Sequence, residues 1–492
     1  MKKSHFLAFD IGAESGRTIL GTLKNQRLQI KELTRFPNGM VNILGHLHWN
    51  IFRLFEEMKN GLRACASDFT SHPDGIAFDT WGVDFGLLAQ DGSILGLPFA
   101  YRDSRTLGMM DEFFKRIPRE RVYQLTGIQM MPFNSIYQLY SMVRDKSPLL
   151  EAASDILFMP DLFNYLFTGE KASEFTFATT TQLYNPTIGE WDDELLGALE
   201  LSKSKLQEIV FPRTVIGELQ KDIADETGLT HVPVIACASH DTGSAIAAAP
   251  AEGKDWAYIS SGTWSLMGVE IDKPNLSEQA MAFNFTNEGG VEGTFRFLKN
   301  IMGLWLVQQC KKAWDKEYGY SYAELAAMAE AAKPFIAIVD PDDGEFLNPP
   351  DMPEAIRQYC GKTGQSIPAF PAEIARCAFE SLALKYRLVL DQLREVYPNP
   401  IKIIHVIGGG AKNEFLNQFT ANATGLPVVA GPAEATAIGN IMIQALALGH
   451  VTSLSEIRRI IRHSFPMVRY EPQQVEQWDA AYVRFKEILQ VG

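Results

Sequence analysis

The segment at residues 10–17, Asp-Ile-Gly-Ala-Glu-Ser-Gly-Arg, combines groups that can bind a phosphate. Its glycines let backbone N–H groups approach phosphate oxygens, the Ser15 hydroxyl can donate a hydrogen bond, and Arg17 supplies a fixed positive charge. Asp10 follows the apolar residues 6–9, and a carboxylate at the end of a buried strand is costly unless it serves a function. The simpler alternative is an ordinary hairpin turn with Asp10 facing solvent.

The run Ser-His-Asp-Thr-Gly-Ser at residues 239–244 is a second candidate, since it follows the apolar residues 234–238 and precedes a helix of small residues. A carboxylate such as Asp241 at the end of a strand can accept the proton of a substrate hydroxyl, as phosphoryl transfer requires. An ordinary Asp side chain titrates at about 3.9 and is therefore ionised at neutral pH. The alternative is that Asp241 or Ser239 only caps the helix.

Two further segments place aromatic rings beside polar groups. They are Asp-Thr-Trp-Gly-Val-Asp at residues 79–84 and Tyr-Arg-Asp-Ser-Arg-Thr at residues 101–106. Sugars need this mixture, because their C–H faces pack on rings while their hydroxyls bond to carboxylates and amides. The alternative for each segment is core aromatics with an ion pair at the surface.

These candidates need elements that hold them in place. The apolar residues 6–9 and 18–23 predict two strands that form a hairpin around the phosphate-binding candidate. Apolar residues at i, i+3 and i+4 spacing predict a helix over residues 49–69. Residues 75–78 predict a strand that leads into the aromatic segment at 79–84.

The hairpin pattern returns about 250 residues later. Residues 256–259 and 265–269 predict two strands that are joined by the turn Ser-Ser-Gly-Thr at 260–263. A similar hairpin at the start of each half indicates two related domains. Small residues near position 250 favour a boundary there, so we expect domains at residues 1–247 and 248–492.

A strand followed by a glycine turn is predicted near the C-terminus. Residues 401–407 predict the strand, residues 408–410 are three glycines, and a helix that Gly425 ends follows them. This arrangement suits phosphate or adenosine. It is not a dinucleotide-binding fingerprint, because Asn413 stands where that motif needs glycine or alanine.

Length and composition limit the class of protein. A chain of 492 residues exceeds what one hydrophobic core usually supports, and its 46% hydrophobic and 21% charged residues are typical of a globular protein. The net charge of −14 argues against a nucleic-acid or anionic-membrane partner. No apolar run is long enough for an export signal or a membrane span, so we expect a cytoplasmic protein. The five cysteines show no metal-ligand spacing, and a reducing compartment disfavours a Cys360–Cys377 disulfide.

Taken in order, these segments resemble the FGGY family of carbohydrate kinases, and the resemblance extends from Phe6 to about Gly449. Within the family they are most similar to the kinases that act on L-rhamnulose. Several long stretches in the right order support the resemblance more strongly than any single motif does. The most specific stretches are residues 79–84, 101–106, 159–161, 178–182, 238–242, 260–265, 287–290 and 298–305.

The resemblance implies an α/β fold of two ribonuclease-H-like, actin-like ATPase domains, with ATP and sugar meeting in the cleft between them. It implies ATP and Mg²⁺ as cofactors, Asp241 as the catalytic base, and Asp10 acting near the metal through water. The positions that match the family's nucleotide site are Ala13, Glu14, Ser15, Gly16, Arg17, Thr263, Gln308 and Gly409. The positions that match its sugar site are Gly82, His240, Asp241, Thr242 and Asn300. Many family members have a hydroxyl group at the position of Glu14. Three roles stay open for the Glu14 side chain: it points away, it helps to bind the metal, or it orders Arg17.

The implied reaction is ATP-dependent phosphorylation of L-rhamnulose on its 1-hydroxyl, in L-rhamnose catabolism, by a monomer or a small homo-oligomer. The nearest alternative is a kinase for L-fuculose, L-xylulose or L-ribulose, since a difference of one stereocentre or methyl group is read poorly from sequence. An actin-like ATPase without a sugar substrate is a different class, which the aromatic segments at 79–84 and 101–106 disfavour. A transcriptional regulator on the same fold would need a helix-turn-helix, and the N-terminus begins directly with the phosphate hairpin.

Overall fold

The computed structural model describes residues 3–68, 72–315 and 317–490. The chain divides into two compact units, each built from separate stretches of sequence. Unit 1 comprises Met1–Ala248, Glu270–Phe297 and Ala435–Ser464, and unit 2 comprises Ala249–Val269, Leu298–Glu434 and Phe465–Gly492. The domain division at residues 247 and 248 stays a prediction.

Unit 1 contains a central sheet, several short strand pairs and helices around them. Its strands are β1 (Ser4–Ile11), β2 (Ser15–Lys24), β3 (Arg27–Pro37), β4 (Met40–Ile43), β5 (His46–Trp49), β6 (Gly75–Thr80), β7 (Phe85–Leu88), β8 (Asp155–Phe158), β9 (Ser173–Glu174), β10 (Tyr184–Asn185), β11 (Glu190–Trp191), β12 (Ile209–Val210), β13 (Val215–Glu218), β14 (Pro233–Ile235) and β17 (Thr286–Gly289). Its helices are α1 (Ile51–Asp68), α2 (Met109–Phe113), α3 (Arg119–Thr126), α4 (Ser135–Arg144), α5 (Pro148–Ala152), α6 (Met159–Thr168), α7 (Phe175–Thr180), α8 (Asp193–Ala198), α9 (Lys221–Thr227), α10 (Asp241–Ala247), α11 (Glu278–Ala282), α17 (Ala435–Ala447) and α18 (Leu454–Ser464). Short 3₁₀ helices lie at Ser104–Thr106 and Lys203–Lys205.

The central sheet of unit 1 has six strands in the order β13-β14-β6-β1-β2-β3. Antiparallel pairing joins β1 to β2 and β2 to β3, whereas β1, β6 and β14 are parallel. Every residue of β1 is buried, which explains why its sequence is apolar along most of its length instead of alternating. Because parallel strands end at the same edge of a sheet, the residues that end or follow β1, β6 and β14 are brought together.

Packing of α17 on this sheet brings the segment Ala435–Ser464, which is distant in sequence, into unit 1. Gly439 lies so close to α10 that an added Cβ atom would be 1.8 Å from the Ser244 carbonyl oxygen. The Gln444 side chain donates to the Leu7 carbonyl oxygen in β1 at 3.0 Å. The small residue permits the close approach of two helices, and the amide satisfies a buried backbone acceptor.

A buried carboxylate, that of Asp84, organises the aromatic residues beside the sheet. Its Oδ2 accepts hydrogen bonds from Trp49 Nε1 at 2.6 Å, from Trp81 Nε1 at 2.9 Å and from Tyr101 N at 3.1 Å. Its Oδ1 accepts from Gln138 Nε2 at 2.8 Å. Burial raises the pKa of Asp84 to about 6, although these donors pull it down. Trp81 therefore lies in the core, as the alternative interpretation expects of the aromatic residues, whereas Asp84 is buried among neutral donors and not in a surface ion pair.

Unit 2 repeats the same strand pairing. Its strands are β15 (Trp256–Ser261), β16 (Trp264–Ile271), β18 (Phe295–Met302), β19 (Ile403–Ile407), β20 (Val428–Ala430) and β21 (Val468–Tyr470). Its helices are α12 (Trp305–Trp314), α13 (Tyr322–Ala331), α14 (Met352–Lys362), α15 (Pro371–Val396), α16 (Glu414–Thr424) and α19 (Val475–Ile488), with 3₁₀ helices at Gly344–Phe346 and Gly409–Lys412. The strands follow the order β18-β16-β15-β19-β20-β21, with β15 antiparallel to β16 and parallel to β19. Each unit thus begins its sheet with a hairpin whose first strand pairs in parallel with a later one.

Most strands and helices expected from sequence are present. Both hairpins are confirmed, as are the strand and helix around the glycines at 408–410. Residue 69, the expected end of α1, lies outside the described residues. The strand expected over the apolar residues 234–238 was too long, since β14 ends at Ile235. Among the described helices, none combines the length and the apolar character that crossing a lipid bilayer requires.

Replacing Asp84 by Asn should destabilise unit 1 by about 1–3 kcal/mol, because the amide N–H₂ would face donors where the carboxylate now accepts. The pKa of Asp84 is raised from 3.8 to about 6 in the native state. Between these pH values the native protein therefore keeps the Asp84 proton, whereas the unfolded chain has lost it. This group therefore lowers wild-type stability as pH rises from 3.8 to about 6, and the Asn variant should lose that part of the pH dependence. Urea unfolding between pH 4 and 7 measures both effects, with Asp225→Asn on the surface of α9 as control. An unchanged unfolding midpoint would contradict the role of Asp84.

Candidate active site

Two carboxylates stand side by side where β1 and β6 end in unit 1. Asp10 and Asp79 are direct partners in the parallel β1–β6 register, and Arg17 faces Asp10 across the β1–β2 hairpin. The Arg17 guanidinium donates a hydrogen bond to Asp10 Oδ2. Asp10 is buried, so the interpretation that it faces solvent in an ordinary turn is wrong.

The second of these carboxylates is in a strongly perturbed environment. Burial, with the nearby carboxylates of Asp10 and Asp241, holds the pKa of Asp79 well above its ordinary value. Asn440 of α17 opposes the shift by donating to Asp79 Oδ2 at 2.6 Å. Asp79 Oδ1 is buried and has no hydrogen-bond partner among the described residues. This edge of the sheet therefore concentrates acidic groups that a cation would stabilise.

The turn between β1 and β2 is closed by its own backbone and by Asn38. Gly12 N donates to Ser15 O at 2.9 Å, and Asn38 N donates to Glu14 O at 2.9 Å. The Glu14 side chain is exposed, while Ala13 and Ser15 are partly buried. Gly16 is fixed by packing, since an added Cβ atom would be 2.2 Å from the Phe36 ring. The backbone of this short turn is therefore held in place beside Arg17.

The segment with Asp241 is anchored from both sides. Thr80 N at the end of β6 donates to Ser239 O at 2.9 Å. Asp241 is the first residue of α10, and its Oδ1 accepts from Thr242 N at 2.6 Å and from Thr242 Oγ1 at 3.1 Å. His240 occupies the N-cap position, so the interpretation that Asp241 or Ser239 is the cap is wrong. With its side chain 31% exposed, Asp241 can be reached by a substrate.

Glu174 supports this segment, and sequence reasoning did not single it out. Its carboxylate accepts from Ser239 N at 3.1 Å and also caps α7 through Thr176 N and Phe177 N. Thr176 Oγ1 in turn accepts from His240 N at 3.2 Å. Burial raises the pKa of Glu174 to about 7. A lone Glu before a helix gives no sequence signal for a partner 65 residues away.

Gly82 lies directly against the His240 ring. A Cβ atom added at Gly82 would be 3.3 Å from His240 Nε2 and 3.7 Å from Thr180 Oγ1. The next residue, Val83, has a φ of 66°, which is a strained conformation for a β-branched side chain. Its carbonyl oxygen accepts from Ser135 Oγ at 2.5 Å, which helps hold the turn. The strained turn thus keeps a residue without a side chain next to His240.

In unit 2, the turn between β15 and β16 is bonded to the start of α12. Thr263 O accepts from Gly303 N at 3.1 Å and from Trp305 N at 3.2 Å. A Cβ atom at Gly303 would be 2.6 Å from the backbone of Trp264, so only glycine fits this approach. Gln308 lies one turn into α12, and its Oε1 is buried without a hydrogen-bond partner among the described residues. Thr263 and Gln308 are thereby placed on one connected piece of backbone.

The second turn of unit 2 follows β19 and lies beside the first, because β15 and β19 are parallel. Gly408 has a φ of 80°, and a Cβ atom at Gly410 would be 2.0 Å from Ser261 Oγ. Gly409 is exposed, and no atom lies within 4 Å of where its Cβ would be. The turn presents open backbone to a ligand. Asn300, the remaining candidate, is partly buried in β18.

The structure therefore brings Asp10, Arg17, Gly82, His240 and Asp241 to one edge of the sheet in unit 1, with Asp79 added to the set. It brings Thr263, Gln308 and Gly409 to neighbouring turns in unit 2. Over residues 3–68, 72–315 and 317–490, no group of three or more His, Cys, Asp or Glu side chains is arranged to hold a metal by itself.

Comparison with protein-family models and curated proteins gives long matches. The N-terminal domain of the FGGY family of carbohydrate kinases matches residues 5–247, and its C-terminal domain matches residues 257–448. A rhamnulokinase of Bacteroides thetaiotaomicron is 50% identical over 487 residues, covering 99% of this chain and 100% of the relative. A rhamnulokinase of Bacillus subtilis is 39% identical over 472 residues, covering 96% of each chain.

Solved structures with the same fold are more distant in sequence. A ligand-bound xylulose kinase from Lactobacillus acidophilus has a TM-score of 0.81 at 16% identity, covering 99% of this chain and 97% of that one. A glycerol kinase from Plasmodium falciparum, solved with ADP, has a TM-score of 0.78 at 14% identity, covering 98% of each chain. At such identities the similarity shows the fold, two α/β domains of the ribonuclease-H-like, actin-like type. Because the family models match both halves of the sequence, the chain belongs to the FGGY family of carbohydrate kinases.

Proposed function

We propose that this protein transfers the γ-phosphoryl group of ATP to the 1-hydroxyl of L-rhamnulose. The observation that carries the proposal is the identity of 39–50% to rhamnulokinases over 95% or more of the chain. The geometry of unit 1 supports a kinase mechanism, because a reachable carboxylate lies beside a cation-binding edge. Sugar and ATP enter as the two substrates.

Asp241 is the proposed catalytic base. Its Oδ1 is engaged by Thr242, whereas its Oδ2 accepts no hydrogen bond from the described residues and can take a hydroxyl proton. The transition state of phosphoryl transfer is loose and nearly in line, so most of the catalysis comes from positioning and from charge neutralisation. Asp241 then orients the hydroxyl and removes its proton late, while Gly82, His240, Thr242 and Asn300 bind the sugar.

Backbone turns carry the residues that we assign to ATP. In unit 1, Ala13, Glu14, Ser15, Gly16 and Arg17 form the phosphate turn, where Arg17 adds a positive charge to the backbone N–H groups. In unit 2, Thr263, Gln308 and Gly409 take the nucleotide. The open space at Gly409 and the buried Oε1 of Gln308 support this assignment. The Glu14 side chain is exposed, so we assign only the Glu14 backbone to phosphate binding.

The residues at the edge of the unit 1 sheet fit a magnesium ion. Mg²⁺ commonly binds one or two carboxylates, several waters and substrate phosphates, so it does not need a full cage of side chains. Asp10 and Asp79 would hold it, and the buried Asp79 Oδ1 without a hydrogen-bond partner is the observation that supports the fit. When bound, the ion neutralises charge on the phosphoryl group.

Changing Asp241 to Asn should lower kcat by about 10² to 10⁴ with little effect on folding, since general-base catalysis is removed but the Oδ1 contacts are kept. Release of ADP in the presence of L-rhamnulose measures the rate, and circular dichroism measures the fold. Asp222→Asn on α9 is the surface control. Turnover close to wild type would remove Asp241 from this role.

The substitution Gly82→Ala should raise the KM for sugar, because the new Cβ atom would lie only 3.3 Å from His240 Nε2. A shift of a few tenths of an ångström predicts about a tenfold loss in kcat/KM for sugar, since about 1 Å can cost about 10²-fold. The KM for ATP should stay the same. Gly197→Ala is the matched control, because open space surrounds that position. Equal sugar kinetics in both variants would contradict the placement of Gly82.

A panel of ketoses tests the substrate. L-rhamnulose should give the highest kcat/KM, with the 1-phosphate as product by ³¹P NMR, while L-fuculose, L-xylulose and L-ribulose should be weaker. Preference for L-fuculose would keep the mechanism and change the substrate. Release of ADP at the same rate with and without every sugar would refute a sugar-kinase function.

A further inference from the structure

A buried cluster of charged and titratable groups lies behind Asp241 in unit 1, which includes the first three residues of β18. Arg296 NH1 lies 3.1 Å from Glu288 Oε2, and Arg296 NH2 lies 3.2 Å from His240 Nδ1. The side chains of Arg296, Glu288 and His240 are 1%, 6% and 11% exposed. None of the roles assigned so far uses Arg296 or Glu288.

The position of the Arg296 guanidinium is fixed by more than the ion pair. Its Nε donates to Gly289 O at 2.8 Å, so the planar group is held by β17 as well as by Glu288. Taking an ion pair out of water costs desolvation that the attraction between the charges often does not repay. A rigid, buried Arg–Glu pair therefore suits a task of orientation better than one of stability.

The geometry selects one protonation state of His240. A guanidinium donates hydrogen bonds and cannot accept them, so the His240 Nδ1 that faces Arg296 NH2 must offer its lone pair. Glu288 Oε2 also lies 3.3 Å from Nδ1, but the same oxygen is neutralised by Arg296 NH1. A proton on Nδ1 would oppose an Arg N–H, and a ring protonated on both nitrogens would also place two cations together in a buried site. The neutral ring with its proton on Nε2 avoids both costs.

The Nε2 proton then points toward the proposed base. His240 Nε2 lies 3.4 Å from Asp241 Oδ1, a long contact of the kind that tightens when a substrate is bound. The same oxygen already accepts from Thr242 N and Thr242 Oγ1. With three donors directed at Oδ1, the other carboxylate oxygen, Oδ2, is the one left for the substrate hydroxyl.

We propose that the buried Arg296–Glu288 pair holds His240 as the neutral Nε2–H tautomer, which directs Asp241 Oδ1 inward and leaves Oδ2 as the proton acceptor. Arg296 and Glu288 are thus positioning residues, and the inference rests on the proposed function of Asp241. The charged groups that face His240 are Asp241 from α10, Glu288 from β17 and Arg296 from β18. Uncharged neighbours of His240 among the described residues include the Phe177 ring, Gly82 and Thr80.

The direct test is ¹⁵N NMR of the intact wild-type protein labelled at its histidine rings. The chain has nine His residues, and the His240 signals are identified by their loss in His240→Gln. The expected spectrum at neutral pH shows the ring proton on Nε2 and none on Nδ1. A proton on Nδ1 would overturn the inference, and this result needs no variant of Arg296 to fold.

Arg296→Lys supplies the kinetic test, because an ammonium cannot reach Glu288 and His240 with one fixed fork. In this variant the ring should no longer be held as the Nε2–H tautomer, so the His240 ¹⁵N signals should change. We expect kcat to fall by about 10²-fold, with the KM for ATP unchanged. An unchanged kcat with an unchanged His240 spectrum would refute the role of Arg296.

A matched buried pair separates positioning from stability. Glu270 accepts from Arg458 at 2.6 Å, and these side chains are 14% and 10% exposed in the same unit. Glu288→Gln should alter the His240 spectrum and kcat, whereas Glu270→Gln should lower thermal stability only. Equal effects of the two variants on kcat would refute the inference. A wild-type protein that does not phosphorylate the sugar would count against the proposed function. A wild-type enzyme that is active but has the His240 proton on Nδ1 would overturn only the inference.

Discussion

The parallel pairing of β1 with β6 is the constraint on which the site depends. It sets Asp10 beside Asp79 at a buried edge, and two neighbouring carboxylates in that position repel each other and are poorly solvated. The surroundings offset this with Arg17 across the hairpin and Asn440 from α17. These two donors offset part of the repulsion, and the acidic edge still favours a nearby positive charge. Asp241 comes to the same edge because the chain after β14 runs alongside β6.

Unit 2 uses the same strand pairing for a different chemistry. Where β15 and β19 end, there are glycines and hydroxyl groups instead of carboxylates, and backbone groups line the two turns. Gly303 and Gly410 permit contacts that a side chain would block, which brings the turns close to each other. One topology thus gives an acidic edge in one unit and a neutral backbone edge in the other, because the residues at the strand ends differ.

Perturbed carboxyl groups in this chain are mostly structural. Burial raises the pKa of Asp84 to about 6 and that of Glu174 to about 7, yet both bond to protein donors and hold aromatic or backbone groups in place. A raised pKa here reports desolvation, and it marks function only where an atom is also accessible or lacks a partner. Among the groups with a raised pKa, Asp79 meets the second condition through its buried Oδ1, which has no hydrogen-bond partner among the described residues.

The sequence by itself determined the two hairpins, the glycine turn at 408–410, the family and the residues that carry its motifs. Each of these depends on a contiguous run of residues with a recognisable pattern. It did not reveal that Asn440 and Glu174 bond to the segments around the site, or that Arg296 and Glu288 surround His240. Nor did it show that Trp81 and Asp84 belong to the core. Apart from the Trp81–Asp84 hydrogen bond, these contacts join residues tens to hundreds of positions apart. Only the packing of the sheet and its helices selects which distant polar groups satisfy one another, since buried donors and acceptors must be paired wherever the chain brings them together.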